Sequence, residues 1–144
     1  MDATQPKPPK LLIVDDEVPI LFALESYFGG AGFEVRCARG LADALALAAV
    51  EGFDLVIADL MLSASDEPEG IELLVRLRAA GKRPRVVFLT ALACEETERR
   101  ARERGADAYL RKPQPLGGLE ALVRALLGAA ARPEAPPTQP EDEP

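Results

Sequence analysis

Residues 11–17 read LLIVDDE, an apolar run of four residues that ends directly in three carboxylates. A strand that is apolar at every position, rather than at every second one, is typical of a parallel sheet covered on both faces. Further short apolar runs follow at 33–37, 55–58, 86–89 and 108–110. The sequence therefore predicts five strands in one parallel sheet.

A longer periodic stretch follows each apolar run. We predict helices over 19–28, 41–51, 70–80, 94–104 and 116–129, with Gly29-Gly30, Gly52, Gly81 and Gly105 as stops. Strands and helices that alternate in this way form βα units, so the predicted fold class is α/β with helices on both faces of the sheet. The fourth helix differs from the others because its only apolar side chains are Cys94 and Ala101. We expect it to be loosely held.

The two ends of the chain differ in composition from its middle. Residues 1–9 are rich in proline, and residues 130–144 are rich in proline and acidic residues. Such segments bury too little apolar surface to fold. We therefore predict a disordered segment over 1–9, one domain over 10–129 and a disordered tail over 130–144. At 144 residues the chain is expected to lack a separate output domain.

Composition and charge exclude several classes of function. The chain has no histidine, and its two cysteines, Cys37 and Cys94, are far apart, which argues against zinc sites and histidine-based catalysis. A formal net charge of −7 would repel a phosphate backbone, so direct DNA binding is not expected. No apolar stretch approaches the roughly 20 residues of a membrane span, and no signal peptide is evident. We expect a cytoplasmic protein without membrane contact.

Polar residues follow four of the five apolar runs, where the strands are predicted to end. They are Asp15, Asp16 and Glu17 after the first run, Asp59 after the third, Thr90 after the fourth, and Lys112 with Pro113 after the fifth. Ligands of parallel α/β sheets bind at this edge. Carboxylates brought together there repel one another, and Mg²⁺ is the hard cation that fits between them. An ammonium and a hydroxyl suit phosphate oxygens, so the set predicts a phosphoryl-binding site.

In this order and at this spacing, LLIVDDE at 11–17, Asp59-Leu60-Met61, Thr90-Ala91 and Lys112-Pro113 resemble the receiver domains of two-component response regulators. The resemblance covers residues 10 to about 129. It implies a flavodoxin-like, doubly wound (βα)5 fold with strand order 2-1-3-4-5. It also implies a signalling switch that is not an enzyme in the usual sense, since it catalyses only its own phosphorylation and slow autodephosphorylation.

The resemblance assigns a role to each of these residues. Asp59 would be the phosphoacceptor. Its phosphoryl group would come from a sensor histidine kinase or a phosphotransfer protein. Asp16, Asp59 and the backbone carbonyl of Met61 would bind Mg²⁺ directly, and Asp15 would bind it through water. Thr90 and Lys112 would hold the phosphoryl oxygens.

The resemblance also implies how the signal leaves the site. Tyr109 matches the family's switch aromatic, which turns inward when Thr90 moves toward the phosphate. The peptide before Pro113 would be cis, an isomer that only about 5% of X-Pro bonds adopt. The signal is expected to pass through the fourth helix, fifth strand and fifth helix to a downstream protein or to a second copy of the chain.

Two alternatives stay open, and one region departs from the family. A phosphohydrolase of the haloacid dehalogenase type shares the aspartate, hydroxyl and lysine, but Met61 stands where that family has a second acid. A constitutive binding module would keep the same residues unused. After Asp59, the usual proline is replaced by Ser63 and the usual glycine is Gly70, which makes the loop about three residues longer.

Overall fold

The computed structural model describes residues 7–62 and 68–128. The predictions for residues 1–6, for the acidic loop at 63–67 and for the tail from residue 129 onward lie outside these ranges. Within them, none of the helices combines the length and the hydrophobicity that crossing a membrane requires.

Strands and helices alternate along the described chain. The strands are β1 Lys10–Val14, β2 Glu34–Ala38, β3 Leu55–Asp59, β4 Arg85–Thr90 and β5 Ala108–Arg111. The helices are α1 Val18–Gly30, α2 Leu41–Val50, α3 Glu69–Ala79, α4 Glu95–Glu103 and α5 Leu116–Gly128. All strand pairs are parallel and their order is β2-β1-β3-β4-β5. The predicted fold class and strand order are confirmed.

The sheet is covered on both faces, as its uniformly apolar strands predict. Alternate residues of β1 show the arrangement: Leu12 and Val14 belong to one apolar cluster with α2, α3 and α4, whereas Leu11 and Ile13 belong to a second with α1 and α5. All four side chains are fully buried. Burying such a side chain contributes about 1.5–3 kcal/mol, so the two clusters hold the strand ends in fixed positions.

The end of α1 differs from the prediction. Gly29-Gly30 do not stop the helix, which runs through Gly30, and the residue with a positive φ is Gly32 at 103°. The Phe33 N–H donates to the Phe28 carbonyl at 3.0 Å and the Gly32 N–H to the Gly29 carbonyl at 3.2 Å. This pair of closing bonds needs a left-handed residue one position beyond the cap, which explains why Gly32 and not the glycine pair ends the helix.

The helix α4 buries very little, as its composition predicts. Ala101 is its only buried residue. Its exposed surface carries ion pairs such as Glu98–Arg102 at 3.1 Å, which contribute a few tenths of a kcal/mol each. Apolar packing therefore attaches α4 to the sheet at essentially one point.

Candidate functional site

The buried polar side chains of the described chain are concentrated at the carboxyl edge of the sheet. Apart from Tyr109, the buried residues that are polar or charged are Asp15, Asp59 and Thr90, with 2%, 6% and 1% of their surface exposed. They lie at the ends of β1, β3 and β4, which are neighbours in the sheet. Burying polar groups costs free energy, so a cluster of them at this edge indicates a functional site.

Lys112 joins the two buried carboxylates. Its Nζ lies 2.7 Å from Asp15 Oδ2 and 3.0 Å from Asp59 Oδ2. The exposed carboxylate of Glu17 is farther away, at 3.6 Å. The Lys112 backbone N–H donates to the Thr90 carbonyl at 2.9 Å, which fixes the chain where β5 ends. The Lys112–Pro113 peptide that follows is cis.

Each of the three buried polar side chains accepts a hydrogen bond from the backbone two residues later. Asp15 Oδ1 accepts from the Glu17 N–H at 2.8 Å, and Asp59 Oδ1 accepts from the Met61 N–H at 3.1 Å. Thr90 Oγ1 accepts from the Leu92 N–H at 3.3 Å. Such local bonds are typical of Asp and Thr in turns. They orient both carboxylates, so that one oxygen faces the loop and the other faces Lys112.

The electrostatics of the site are finely balanced. Burial raises the pKa of Asp59 above its ordinary value, although hydrogen bonds from Lys112 and from the Met61 backbone act in the opposite direction. For Lys112, burial alone would lower the pKa, but the hydrogen bonds to Asp15 and Asp59 outweigh it and the pKa is raised. Lys112 is therefore charged at neutral pH. Its one positive charge is shared between the carboxyl groups of Asp15 and Asp59.

The site has the composition of a cation site. Asp15, Asp16, Glu17 and Asp59 each offer a carboxylate oxygen, and these oxygens all lie within 4.8 Å of one another. Four carboxylates there face the single ammonium of Lys112, so the donor set fits a hard divalent cation with oxygen ligands. Glu17 was absent from the predicted metal ligands, although its place directly after two aspartates was a usable signal. Met61 is half-buried beside Asp59.

Tyr109 points inward and contacts α4. Only 8% of its surface is exposed, and it belongs to the apolar cluster that contains Phe88 and Ala101. Its hydroxyl is hydrogen-bonded to Thr97 Oγ1 and accepts from the Cys94 N–H at 3.4 Å. The sequence did not single out Thr97, because one hydroxyl on a highly charged helix has the appearance of a solvated residue.

Comparison with known proteins agrees with this geometry. A family model described as the response regulator receiver domain matches residues 11–124. Among curated proteins, the chain is 38% identical over 119 residues to the transcriptional activator protein PfeR of Pseudomonas aeruginosa, covering 83% of this chain and 38% of that protein. It is 38% identical over 122 residues to the transcriptional regulatory protein CusR of Escherichia coli, covering 85% of this chain and 52% of that protein.

Solved structures of similar fold include receiver domains. The CheY-like receiver domain protein of Methanospirillum hungatei superimposes with a TM-score of 0.77 at 29% identity, covering 83% of this chain and 94% of that one. A response regulator protein of Burkholderia pseudomallei, solved with a phosphorylated aspartic acid, calcium ion and citrate, gives a TM-score of 0.71 at 28% identity, covering 83% of this chain and 73% of that one.

The relatives overturn the expected partners. The sequence predicted that the protein would not bind DNA directly and would transmit its signal through protein–protein contacts. The prediction is wrong, because the matched relatives are named transcriptional activators and regulators, and the chain spans only 38% to 52% of the length of PfeR and CusR. The reasoning failed because the net charge of one domain does not limit what the remainder of such a protein contacts.

The site geometry and the relatives point to the same class of protein. The receiver match also removes the haloacid dehalogenase alternative, which the place of Met61 already disfavoured. Receiver domains serve in signalling and are not classical enzymes. This chain belongs to the response regulator receiver domain family.

Proposed function

We propose that the domain is a phosphorylation switch in which Asp59 accepts a phosphoryl group in the presence of Mg²⁺. The observation that carries the proposal is the position of Lys112, whose ammonium bridges Asp15 Oδ2 at 2.7 Å and Asp59 Oδ2 at 3.0 Å. A cation held beside a nucleophilic carboxylate is placed to neutralise charge on the transferring group.

The residues at the carboxyl edge divide the work of holding the ligands. In the proposal, Asp16, Asp59 and the Met61 carbonyl bind the metal directly, and Asp15 binds it through water. The assignment is supported by the clustering of the three aspartates, which belong to the group of four carboxylates at this edge. Bound Mg²⁺ supplies charge neutralisation at the phosphoryl oxygens. Lys112 binds one of these oxygens, and the buried hydroxyl of Thr90 binds another.

The chemistry is a direct displacement at phosphorus. A carboxylate oxygen of Asp59 attacks, a bond from that oxygen to phosphorus forms, and the bond between phosphorus and the imidazole nitrogen of a phosphohistidine breaks. These 144 residues contain no histidine, so the donor histidine lies outside them. No general base is needed because an ionised carboxylate carries no proton to remove. The product is an acyl phosphate, which the domain hydrolyses slowly.

Several finer assignments belong to the same proposal. The domain extends over residues 10–129 and acts in the cytoplasm. Tyr109 acts with Thr90 as the switch pair, and the proline that follows Lys112 is the cis Pro113. The described relative with a phosphorylated aspartic acid and a calcium ion supports a phosphoaspartate beside a divalent cation. The names of the curated relatives support transcription as the process that the switch controls.

Intact mass after incubation with acetyl phosphate tests the proposal. We expect a gain of one phosphoryl group that requires Mg²⁺ and disappears in Asp59→Asn. Asp54→Asn is the matched control, since Asp54 precedes β3 and binds the Lys10 backbone N–H at 2.8 Å, away from the site; it should be phosphorylated normally. A folded wild-type protein that gains no mass would favour the constitutive binding module instead.

A further inference from the structure

The hydroxyl of Tyr109 takes part in a closed ring of hydrogen bonds with the first turn of α4. The Cys94 N–H donates to the Tyr109 oxygen at 3.4 Å. Thr97 Oγ1 contacts both the Tyr109 hydroxyl and the Cys94 carbonyl, the latter at 3.2 Å. A carbonyl can only accept, so the Thr97 proton points to Cys94, where Sγ lies 3.3 Å from Thr97 Oγ1 and shares that proton with the carbonyl. Thr97 Oγ1 accepts the Tyr109 proton. Around the ring, the Cys94 backbone, Tyr109 and Thr97 each donate once and accept once.

This ring is a polar attachment of α4 to β5. Apolar packing from α4 comes from Ala101 alone. Tyr109 is buried, and a buried hydroxyl needs partners for its proton and its lone pairs. Within the described residues, Thr97 is the acceptor for that proton. Without the Thr97 hydroxyl, an inward Tyr109 would lose the acceptor of its proton.

The ring also connects to the proposed phosphorylation site. Thr90 ends β4, and its Oγ1 accepts from the Leu92 N–H at 3.3 Å. The short loop from Thr90 to Cys94 is therefore tied to the site at one end and to Tyr109 at the other. A movement of Thr90 toward a phosphoryl oxygen would displace the loop that carries Cys94.

We infer that Thr97 is a positioning residue that holds Tyr109 inward before any phosphoryl group arrives. The inference rests on the proposed function of Asp59, since it assigns a resting position to the switch tyrosine of that site. A ligand shifts an equilibrium between two states only by the difference between its affinities for them. If Tyr109 is already inward, phosphorylation has to supply less free energy to populate the inward state. Removing the Thr97 hydroxyl lowers the inward population and thereby slows phosphoryl uptake.

Tyrosine nitration measures the position of Tyr109 directly. The chain contains two tyrosines, Tyr27 and Tyr109. Tyr27 lies on α1 and donates to Glu120 at 2.6 Å, so it serves as an internal reference. We would treat the full, unphosphorylated chain with tetranitromethane and measure the ratio of Tyr109 to Tyr27 nitration by peptide mass spectrometry. The variants are Thr97→Val, which removes the hydroxyl at similar size, and Thr97→Ser, which keeps it.

We expect Thr97→Val to raise the ratio by about fivefold, as loss of one hydrogen bond predicts, and Thr97→Ser to restore the wild-type ratio. An unchanged ratio in Thr97→Val would overturn the inference. If Thr97→Val unfolds, Tyr27 becomes reactive as well, and ¹⁹F NMR of fluorotyrosine-labelled wild type and Thr97→Ser replaces the nitration test. Identical, buried Tyr109 signals in the two proteins support the inference. A solvent-exposed Tyr109 signal in the wild type refutes it.

A second measurement separates this inference from the proposed function. Initial rates of Asp59 phosphorylation by acetyl phosphate should fall in Thr97→Val and recover in Thr97→Ser. A wild-type chain that takes up no phosphoryl group contradicts the proposed function, whereas the nitration ratio still tests the position of Tyr109. Normal phosphorylation with an unchanged nitration ratio contradicts the role of Thr97 alone.

Discussion

Gly70, in the first turn of α3, lies directly against Asp59. A Cβ added at position 70 would stand 2.7 Å from the Asp59 carbonyl oxygen and 2.9 Å from the ring of Phe88. The Gly70 N–H also donates to the Leu60 carbonyl at 2.8 Å. β3 and α3 therefore approach each other more closely than any residue with a side chain at position 70 would allow.

We predict that Gly70→Ala destabilises the fold by about 1–3 kcal/mol, because the backbone of β3 must shift to admit a methyl group. The same shift would disturb the phosphorylation of Asp59. Urea unfolding followed by circular dichroism measures the first effect. The control is Gly117→Ala in α5, where nothing lies within 4 Å and the better helix former should stabilise by about 0.5–1 kcal/mol. Equal stabilities of the two variants would contradict the prediction.

Replacing Lys112 by Met should affect metal binding and phosphorylation in opposite directions. The ammonium 3.0 Å from Asp59 repels a cation, so its removal should tighten Mg²⁺ binding by about tenfold. The loss of charge beside the phosphoryl group should slow phosphorylation by about 10²-fold. Calorimetric Mg²⁺ titration and a mass-spectrometric time course measure the two. Lys82→Met, a half-buried lysine after α3, should change neither; weaker Mg²⁺ binding in Lys112→Met would refute the argument.

Because the pKa of Asp59 is raised, the stability of the folded protein should depend on pH. The folded protein binds a proton at Asp59 more readily than the unfolded chain, mainly because of burial. The contribution of Asp59 to the free energy of unfolding is therefore greatest at low pH, and it is lost as the pH rises through the folded-state pKa of Asp59. With chelator present at neutral pH, Asp59→Asn should be more stable than wild type, and the difference should shrink as the pH falls toward about 4. Urea unfolding across this range provides the measurement.

Added Mg²⁺ serves as the control for that series. Binding to the folded wild type should stabilise it by about 2.7 kcal/mol when Mg²⁺ is about 100 times its Kd, and should reverse the order of the two proteins. Finding Asp59→Asn less stable than wild type in chelator at neutral pH would show that the carboxylate is not penalised by burial.

The two thiols should differ strongly in reactivity. Burial, assisted by Glu25, raises the pKa of Cys37 to about 11, so roughly one in ten thousand of these thiols is ionised at pH 7. Cys94 is exposed, and a hydrogen bond with Thr97 lowers the pKa of its thiol. We expect iodoacetamide to modify Cys94 well before Cys37, as read by peptide mass spectrometry. Comparable rates would mean that β2 opens easily at its edge position.

Strand ends were predictable from the sequence because apolar runs and the polar residues after them obey simple rules of burial. Asp15, Asp59 and Thr90 lie together at the sheet edge as the strand pattern predicted. The end of α1 was missed because several glycines stood near it and only the closing bonds select Gly32.

Side-chain contacts between different helices and strands could not be predicted from the sequence. The bond between Thr97 and Tyr109 depends on how α4 lies over β5, and no periodicity encodes that angle. The close approach of Gly70 to Asp59 depends on three elements at once. The partner prediction failed for a different reason, because it drew on charge within one domain and not on the architecture of the longer relatives.

The single buried residue of α4 has a consequence for evolution. Ala101 fixes one position of the helix, and the ring around Thr97 fixes another, while the remaining surface carries exchangeable charges. Substitutions on that surface cost little stability, so they can accumulate without disturbing the sheet that carries Asp59. Among duplicated descendants of such a domain, the outer face of α4 should therefore diverge fastest, while the chemistry at the sheet edge stays the same.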